Sequence, residues 1–253
     1  MQAIWKGHIS FGLVSVPVSV YPATEEHRVP FTLLHGKDNS PIRYKRFCER
    51  ENAEVRKEEI VRGFEYEKGE FVILTDDDFA KVDAKLTKTI DIINFVKLED
   101  IDPMWYDRPY YLEPQRGGEK PYVLLRQAME QTGFGGLSKT VLRNREHLAV
   151  VIPHGPMLLL QMLRFSDEVR DAGKLGVPDD VSIEKKQLEL AKELINKMAE
   201  EFSYDQYVDE YSAKLMEVVR KKAEGKRVTV PKAAKAPPVK DLMDALKKSL
   251  KAA

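Results

Sequence analysis

The stretch from Ile4 to Tyr21, I-W-K-G-H-I-S-F-G-L-V-S-V-P-V-S-V-Y, constrains the fold more than any other part of the chain. From Phe11 onward apolar and small residues alternate through Leu13, Val14, Val16, Val18 and Val20, and β-branched residues dominate. A period of two places such residues on one face of a strand. Gly7 and Gly12 interrupt the run where strand interiors avoid glycine, which points to a bulge, a corner or a close approach of another backbone. Pro17 cannot donate to a ladder and marks an edge or a kink. One long, bent first strand with corner glycines is therefore expected, in a curved or closed sheet rather than a flat one.

Strand signals continue to Phe165. Short strands are expected at Phe31–Leu34 and Ile42–Phe47, at 61–67 and 71–75 around the turn E-K-G-E, at 88–96, and at Tyr110–Leu112. A hairpin is expected from Ser138–Leu142 and His147–Ile152, followed by a strand from Met157 to Phe165. One convincing helix interrupts them, opened by Pro121 in its first turn and closed by Gly133. Thr75-Asp76-Asp77-Asp78 invites a carboxylate-cluster reading, but Thr75 with Asp78 three residues on has capping-box spacing, and acidic residues suit a helix N-terminus.

After Val177-Pro178 the texture becomes helical. Ser182 is the expected cap of a helix carrying Leu188, Ala191, Leu194, Ile195, Met198 and Phe202. Ser203 with Gln206 reads as a second capping box, before a helix carrying Val208, Tyr211, Leu215, Val218 and Val219. Residues 221–238 are rich in Lys, Ala and Pro and lack aromatics, the composition of a flexible linker. Val239, Leu242, Met243, Leu246 and Leu250 then follow helical spacing among lysines, the pattern of a short docking helix or of one that folds back on its own chain.

Net charge is zero, but it is segregated: residues 220–253 hold 11 basic and 3 acidic side chains, leaving 30 basic against 38 acidic in the remainder. A tail of +8 suits nucleic acid or an acidic surface, the alternative being that it only keeps the chain in solution. The single cysteine, Cys48, excludes an internal disulfide and a multi-cysteine metal site. No secretory leader pattern and no apolar run long enough to span a bilayer is visible, so a cytoplasmic, membrane-free protein is expected. Phosphate-binding and nucleophile-elbow motifs are absent, and the five histidines show no paired metal spacing. No catalytic residue, cofactor or metal is therefore expected.

Recognition chemistry remains. Arg43, Lys45 and Arg46 fall together in one expected strand, and Lys139, Arg143 and Arg145 in one hairpin, with Arg164 and Arg170 after it. Basic clusters on strands and turns, without regular aromatic interleaving, suit phosphates rather than stacked bases. No helix presents base-reading Arg, Asn or Gln, which favours sequence-independent duplex binding.

W-K-G-H-I-S-F-G-L-V-S-V-P-V resembles the opening of the bacterial Ku family of DNA-end-binding proteins. F-T-L-L-H-G-K-D, E-E-I-V-R-G-F-E-Y, Y-Y-L-E-P, Y-V-L-L-R-Q-A and Y-V-D-E-Y extend the resemblance in order, from Met1 to about Gly225. It implies a mixed, mainly β fold: a Ku-type β-barrel over residues 1–177 with a long inserted bridge hairpin at about 28–64. A helical dimerisation arm over 178–222 and a flexible basic tail over 223–253 would follow. It further implies a nucleoid-associated homodimer, without catalytic activity, whose two hairpins form a ring around a double-stranded DNA end. Its tail would recruit an ATP-dependent DNA ligase for non-homologous end joining. The DNA-facing candidates are then Arg28, Arg43, Lys45 and Arg46 on the ring, Lys139, Arg143, Arg145, Arg164 and Arg170 on the barrel, and Lys226, Arg227, Lys232 and Lys235 in the tail. Val239, Leu242, Met243, Leu246 and Leu250 are the candidate ligase-docking residues. Some relatives carry a C-x-x-C pair near Cys48, where this chain has C-E-R-E. The alternatives are an RNA- or single-strand-binding barrel, an oligomeric adaptor, and a nuclease built on Asp76–Asp78.

Overall fold

The computed structural model describes residues 1–27, 29–82, 88–142, 145–176, 178, 181–226 and 242–252. The chain divides into two compact units, Met1–Glu26 with Thr32–Asp171, and His27–Phe31 with Ala172–Ala253.

The first unit is built on a closed barrel of seven strands: β1 (Trp5–Phe11), β2 (Val14–Pro22), β7 (Thr89–Lys97), β8 (Tyr106–Pro114), β9 (Phe134–Leu142), β10 (Arg145–His154) and β11 (Met157–Leu163). Their order is β1-β2-β8-β11-β10-β9-β7. Every pairing is antiparallel except the seam, where β1 runs parallel to β7 with Ile9 opposite Ile90. Closure leaves no unpaired edge.

The opening stretch is two strands rather than one long bent strand. Gly12, at φ 57°, and the fully exposed Leu13 turn the chain so that Phe11 faces Val14 across a hairpin. Gly7 marks a close approach: a Cβ there would sit 2.2 Å from the Lys88 carbonyl oxygen and from the Trp5 ring, so only glycine fits. Val16, Val18 and Val20 are wholly buried and join Ile9, Ile90, Leu112, Val151, Leu158 and Leu160 in the barrel core.

α2 (Glu119–Thr132) lies over this core through Tyr122, Leu125 and Met129, and Gly133 ends it in the left-handed conformation. Its Tyr122 hydroxyl donates to the Leu112 carbonyl at 2.6 Å and accepts from the Leu158 N–H at 2.7 Å, joining β8, β11 and the helix.

Between β2 and β7 the chain leaves the barrel for more than sixty residues. The expected strands at Phe31–Leu34 and Ile42–Phe47 do not form. Leu34 and Pro41 make one isolated bridge around a turn with Asn39 at φ 58°, and Pro41 has no N–H with which to extend a ladder. Two small hairpins follow: β3 (Phe47–Cys48) with β4 (Ala53–Glu54), and β5 (Arg62–Glu67) with β6 (Glu70–Leu74), turned by Gly69 at φ 85°. α1 (Asp76–Val82) begins at the expected cap: the Thr75 N–H donates to Asp78 Oδ2 at 3.1 Å and the Asp78 N–H to Thr75 Oγ1 at 3.3 Å.

The second unit holds α3 (Lys185–Met198), α4 (Glu210–Ala223) and α5 (Leu242–Ala252). Both helix starts differ from expectation. α3 is preceded by Glu184, whose N–H meets the Gln187 side-chain oxygen at 3.3 Å, and Ser182 lies outside it. Ser203 precedes only one tight turn, Tyr204–Gln206, while Asp209 caps α4 by accepting from the Ser212 N–H at 3.0 Å. A bond from the Ser212 hydroxyl, and then that one, hold the Asp209 carboxyl below its ordinary range.

Candidate nucleic-acid interface

The excursion between β2 and β7 exposes side chains that a finished surface would cover. β5 buries none of its residues, and Phe64, Tyr66, Phe71, Val72 and Ile73 are all largely exposed on the two-stranded ribbon. A lone two-stranded ribbon is marginal in water. Phe31, Leu33, Tyr44 and Phe47 in the same excursion are also exposed.

The sequence's first basic cluster lies here. Arg43, Lys45 and Arg46 are exposed. The β3–β4 hairpin folds Val55 back so that its N–H donates to the Arg46 carbonyl at 2.9 Å. A depression of about 570 Å³ results, lined by Tyr44, Lys45, Arg46, Glu54, Arg56 and Lys57. Lys45 pairs with Glu54 at 2.5 Å, which leaves the remaining basic groups in excess. Arg56 and Lys57 sit inside the charged run from Cys48 to Glu59, where composition alone gives no reason to single them out. The turn at Glu49–Asn52, with Asn52 at φ 51°, carries them to Arg46.

The second cluster is divided. Lys139, on β9, faces Glu146 at 3.3 Å, and Arg145, at the start of β10, faces Glu168 at 2.7 Å. The Glu168 carboxyl lies below its ordinary range because it accepts the Phe165 N–H and then meets Arg145. Arg164 braces the start of β8 and the turn before it: it reaches Asp107 at 3.0 Å and the carbonyls of Met104 and Tyr106. Arg170 is exposed. Arg145 also lines a pocket of about 350 Å³ with Arg108, His147, Asp107 and Trp5. Arg108 gives no signal in the sequence because it stands alone in D-R-P, and it nears Arg145 only because β8 and β10 flank β11.

In the tail, Lys226 is exposed and pairs with Glu224 at 2.7 Å. Arg28, Arg143, Arg227, Lys232, Lys235 and Val239 lie outside the described residues. Leu242 is exposed, whereas Met243, Leu246 and Leu250 are half-buried because α5 packs on α3. The candidate docking stripe therefore folds back on its own chain in this structure.

The acidic triplet at Asp76–Asp78 does not form a metal centre. Asp78 is engaged by Thr75 and by Lys81 at 3.0 Å, and among the described residues no group of three or more His, Cys, Asp or Glu could hold a metal ion. No helix among the described residues is long and apolar enough to cross a membrane.

A closed barrel with a long exposed insertion between two of its strands, part of it carrying a basic cluster, defines a class of β-barrel proteins, and the comparisons with known proteins narrow it. A family profile described as the Ku70/Ku80 beta-barrel domain matches residues 10–190. The non-homologous end joining protein Ku of Archaeoglobus fulgidus is 42% identical over 253 residues, covering 100% of this chain and 99% of that protein. The protein of the same name from Opitutus terrae is 41% identical over 254 residues, covering 99% and 91%. That of Bacillus subtilis is 36% identical over 246 residues, covering 96% and 79%. The chain belongs to the Ku family. A solved structure, the SPOC domain of human PHD-finger protein 3, aligns with a TM-score of 0.31 at 15% identity over 64% of this chain and 97% of that one, and nothing rests on it.

Proposed function

We propose that this chain forms a homodimeric ring that binds double-stranded DNA ends without sequence preference. The ring recruits an ATP-dependent DNA ligase to join breaks by non-homologous end joining. Membership of the Ku family, and full-length relatives that carry the name of that repair process, support the reading. The observation that carries it is the exposed ribbon. An insertion whose strands bury almost nothing by themselves, and whose loops carry Arg43, Lys45, Arg46, Arg56 and Lys57, fits a part completed by a second copy and by a polyanion.

α3 and α4 add to this. Neither contains a fully buried residue, and Leu188, Ile195 and Met198 on α3 and Tyr211 on α4 remain exposed. Phe202, Tyr204 and Tyr207 cluster in the connection between them, with ring centroids 4.6 and 5.6 Å apart, and they too face solvent. An apolar surface of this extent belongs to an interface with a partner, and the proposed partner is a second copy.

Encirclement explains indifference to sequence. Topology holds the duplex, phosphate contacts position it, and no base need be read. The chain performs no bond chemistry in this scheme, and it works in the cytoplasm at the nucleoid. The Lys-rich tail supplies screened, long-range attraction to DNA, and the apolar stripe of α5 docks the ligase.

The experiment compares linear duplex, single strand and covalently closed circle in one binding assay, with magnesium-dependent cleavage monitored in parallel. Strong binding to linear duplex alone, without cleavage, is the expected result. Preference for single strands, or cleavage, would remove the proposal. Deleting Pro238–Ala253 should preserve end binding and abolish stimulation of the ligase.

A further inference from the structure

α5 is the described element whose position least matches a free docking peptide. An isolated helix of 11 residues is marginal in water, so its order needs a partner. That partner is α3, the one element on which α5 packs extensively among the described residues. Among the described residues of α5, Met243, Ala245, Leu246 and Leu250 are half-buried, while Lys247, Lys248 and Lys251 stay exposed. On α3 they are Gln187, Leu190, Ala191 and Leu194, spaced along one face.

A polar contact fixes the register. Lys197, in the last turn of α3, donates from Nζ to the Leu250 carbonyl oxygen at 2.7 Å. Leu250 lies in the last turn of α5, where carbonyls have no partner within the helix and a cation is favoured. The two helices therefore end side by side. α3 carries a neighbouring apolar stripe, Leu188 and Ile195 two turns apart, which α5 leaves exposed.

We propose that α3 is a cis-acting latch for the C-terminal helix: its Leu190–Ala191–Leu194 stripe and Lys197 hold the face that would dock the ligase, so that docking requires release. The inference rests on the docking role given to α5 above. α3 thereby serves two occupants on two stripes, the tail helix on one and a second copy on the other. Opening the first need not disturb the second. A latch also makes engagement conditional, because the apparent affinity of a competent state falls in proportion to its population.

The test uses the full chain, its Leu194→Lys and Leu190→Lys variants, and the chain lacking Pro238–Ala253. Hydrogen exchange reads the pairing by itself. In the full chain the α5 amides should exchange at least about tenfold more slowly than in either variant. Unprotected α5 amides in the unmodified chain would overturn the latch whether or not the variants fold. Ligase stimulation on linear duplex, with the end-joining ligase of the same organism, reads the masking. Each opened variant should reach half-maximal stimulation at roughly fivefold to tenfold lower ligase concentration. Equal stimulation by the full chain and the opened variants, all above the truncated chain, would leave docking standing and overturn the latch. Stimulation no better than that of the truncated chain in every case would show that the docking role itself fails, and masking with it.

Discussion

At the scale of single residues, the Tyr122 hydroxyl ties the covering helix to two strands of the barrel. It is buried, it bonds both β8 and β11, and burial raises its pKa above the ordinary tyrosine value. Tyr122→Phe keeps the ring and strands the Leu158 N–H and the Leu112 carbonyl, so it should cost about 1–3 kcal/mol. A lowered urea midpoint with an unchanged slope checks this. Arg43, Lys45 and Arg46 carry the opposite kind of consequence: their joint replacement by Ala should leave that midpoint alone. It should weaken duplex binding equally across sequences and flatten the log–log salt dependence by roughly 0.9 for each phosphate that is no longer neutralised. An unchanged slope would remove this segment from the DNA interface. These three residues were legible as a cluster because they are neighbours in sequence. Arg56 and Arg108 were not, since the β3–β4 hairpin and the pairing of β8 and β10 with β11 bring them to their neighbours.

At the scale of elements, the proposed dimer rests on the helical unit. α3 and α4 bury no residue fully, so a chain ending at Val181 should lose its dimer and give monomer or aggregate in sedimentation. A well-folded dimer of that truncated chain would contradict the arm assignment. The start of α4 should also respond to acid. Asp209 has a folded-state pKa below its unfolded value, so its cap contributes fully above the ordinary carboxylate range. That contribution fades as pH falls through the folded value. Asp209→Asn should flatten this part of the acid response, read from amide exchange of α4. Amphipathic spacing made the existence of α3, α4 and α5 readable, but not their caps. Ser182 and Ser203 are good N-cap residues passed over for Glu184 and Asp209, because the hydrogen bonds that form at Gln187 and Ser212 decide the start. The opening stretch misled in a similar way. Alternation continues through Gly12-Leu13, and only the positive φ of Gly12 turns it into a hairpin. Nor does the apolar stripe of α5 announce that α3 covers it.

At the scale of the whole molecule the central claim is topological. An open groove takes up any stretch of duplex, whereas a closed ring loads only where the duplex ends. The sequence contains no nucleotide-hydrolysis motif with which to open a ring by energy-driven cycling. A ring held by phosphates should slide inward once loaded, because phosphate contacts carry no register. Several dimers should then gather on longer fragments. The decisive measurement is a salt challenge on linear DNA whose two ends are blocked either before or after the protein is added. Protein loaded first and then trapped by blocked ends should survive salt that releases open-groove binders, and DNA blocked beforehand should retain almost none. Equal retention on the two substrates would contradict loading through ends and, with it, the ring.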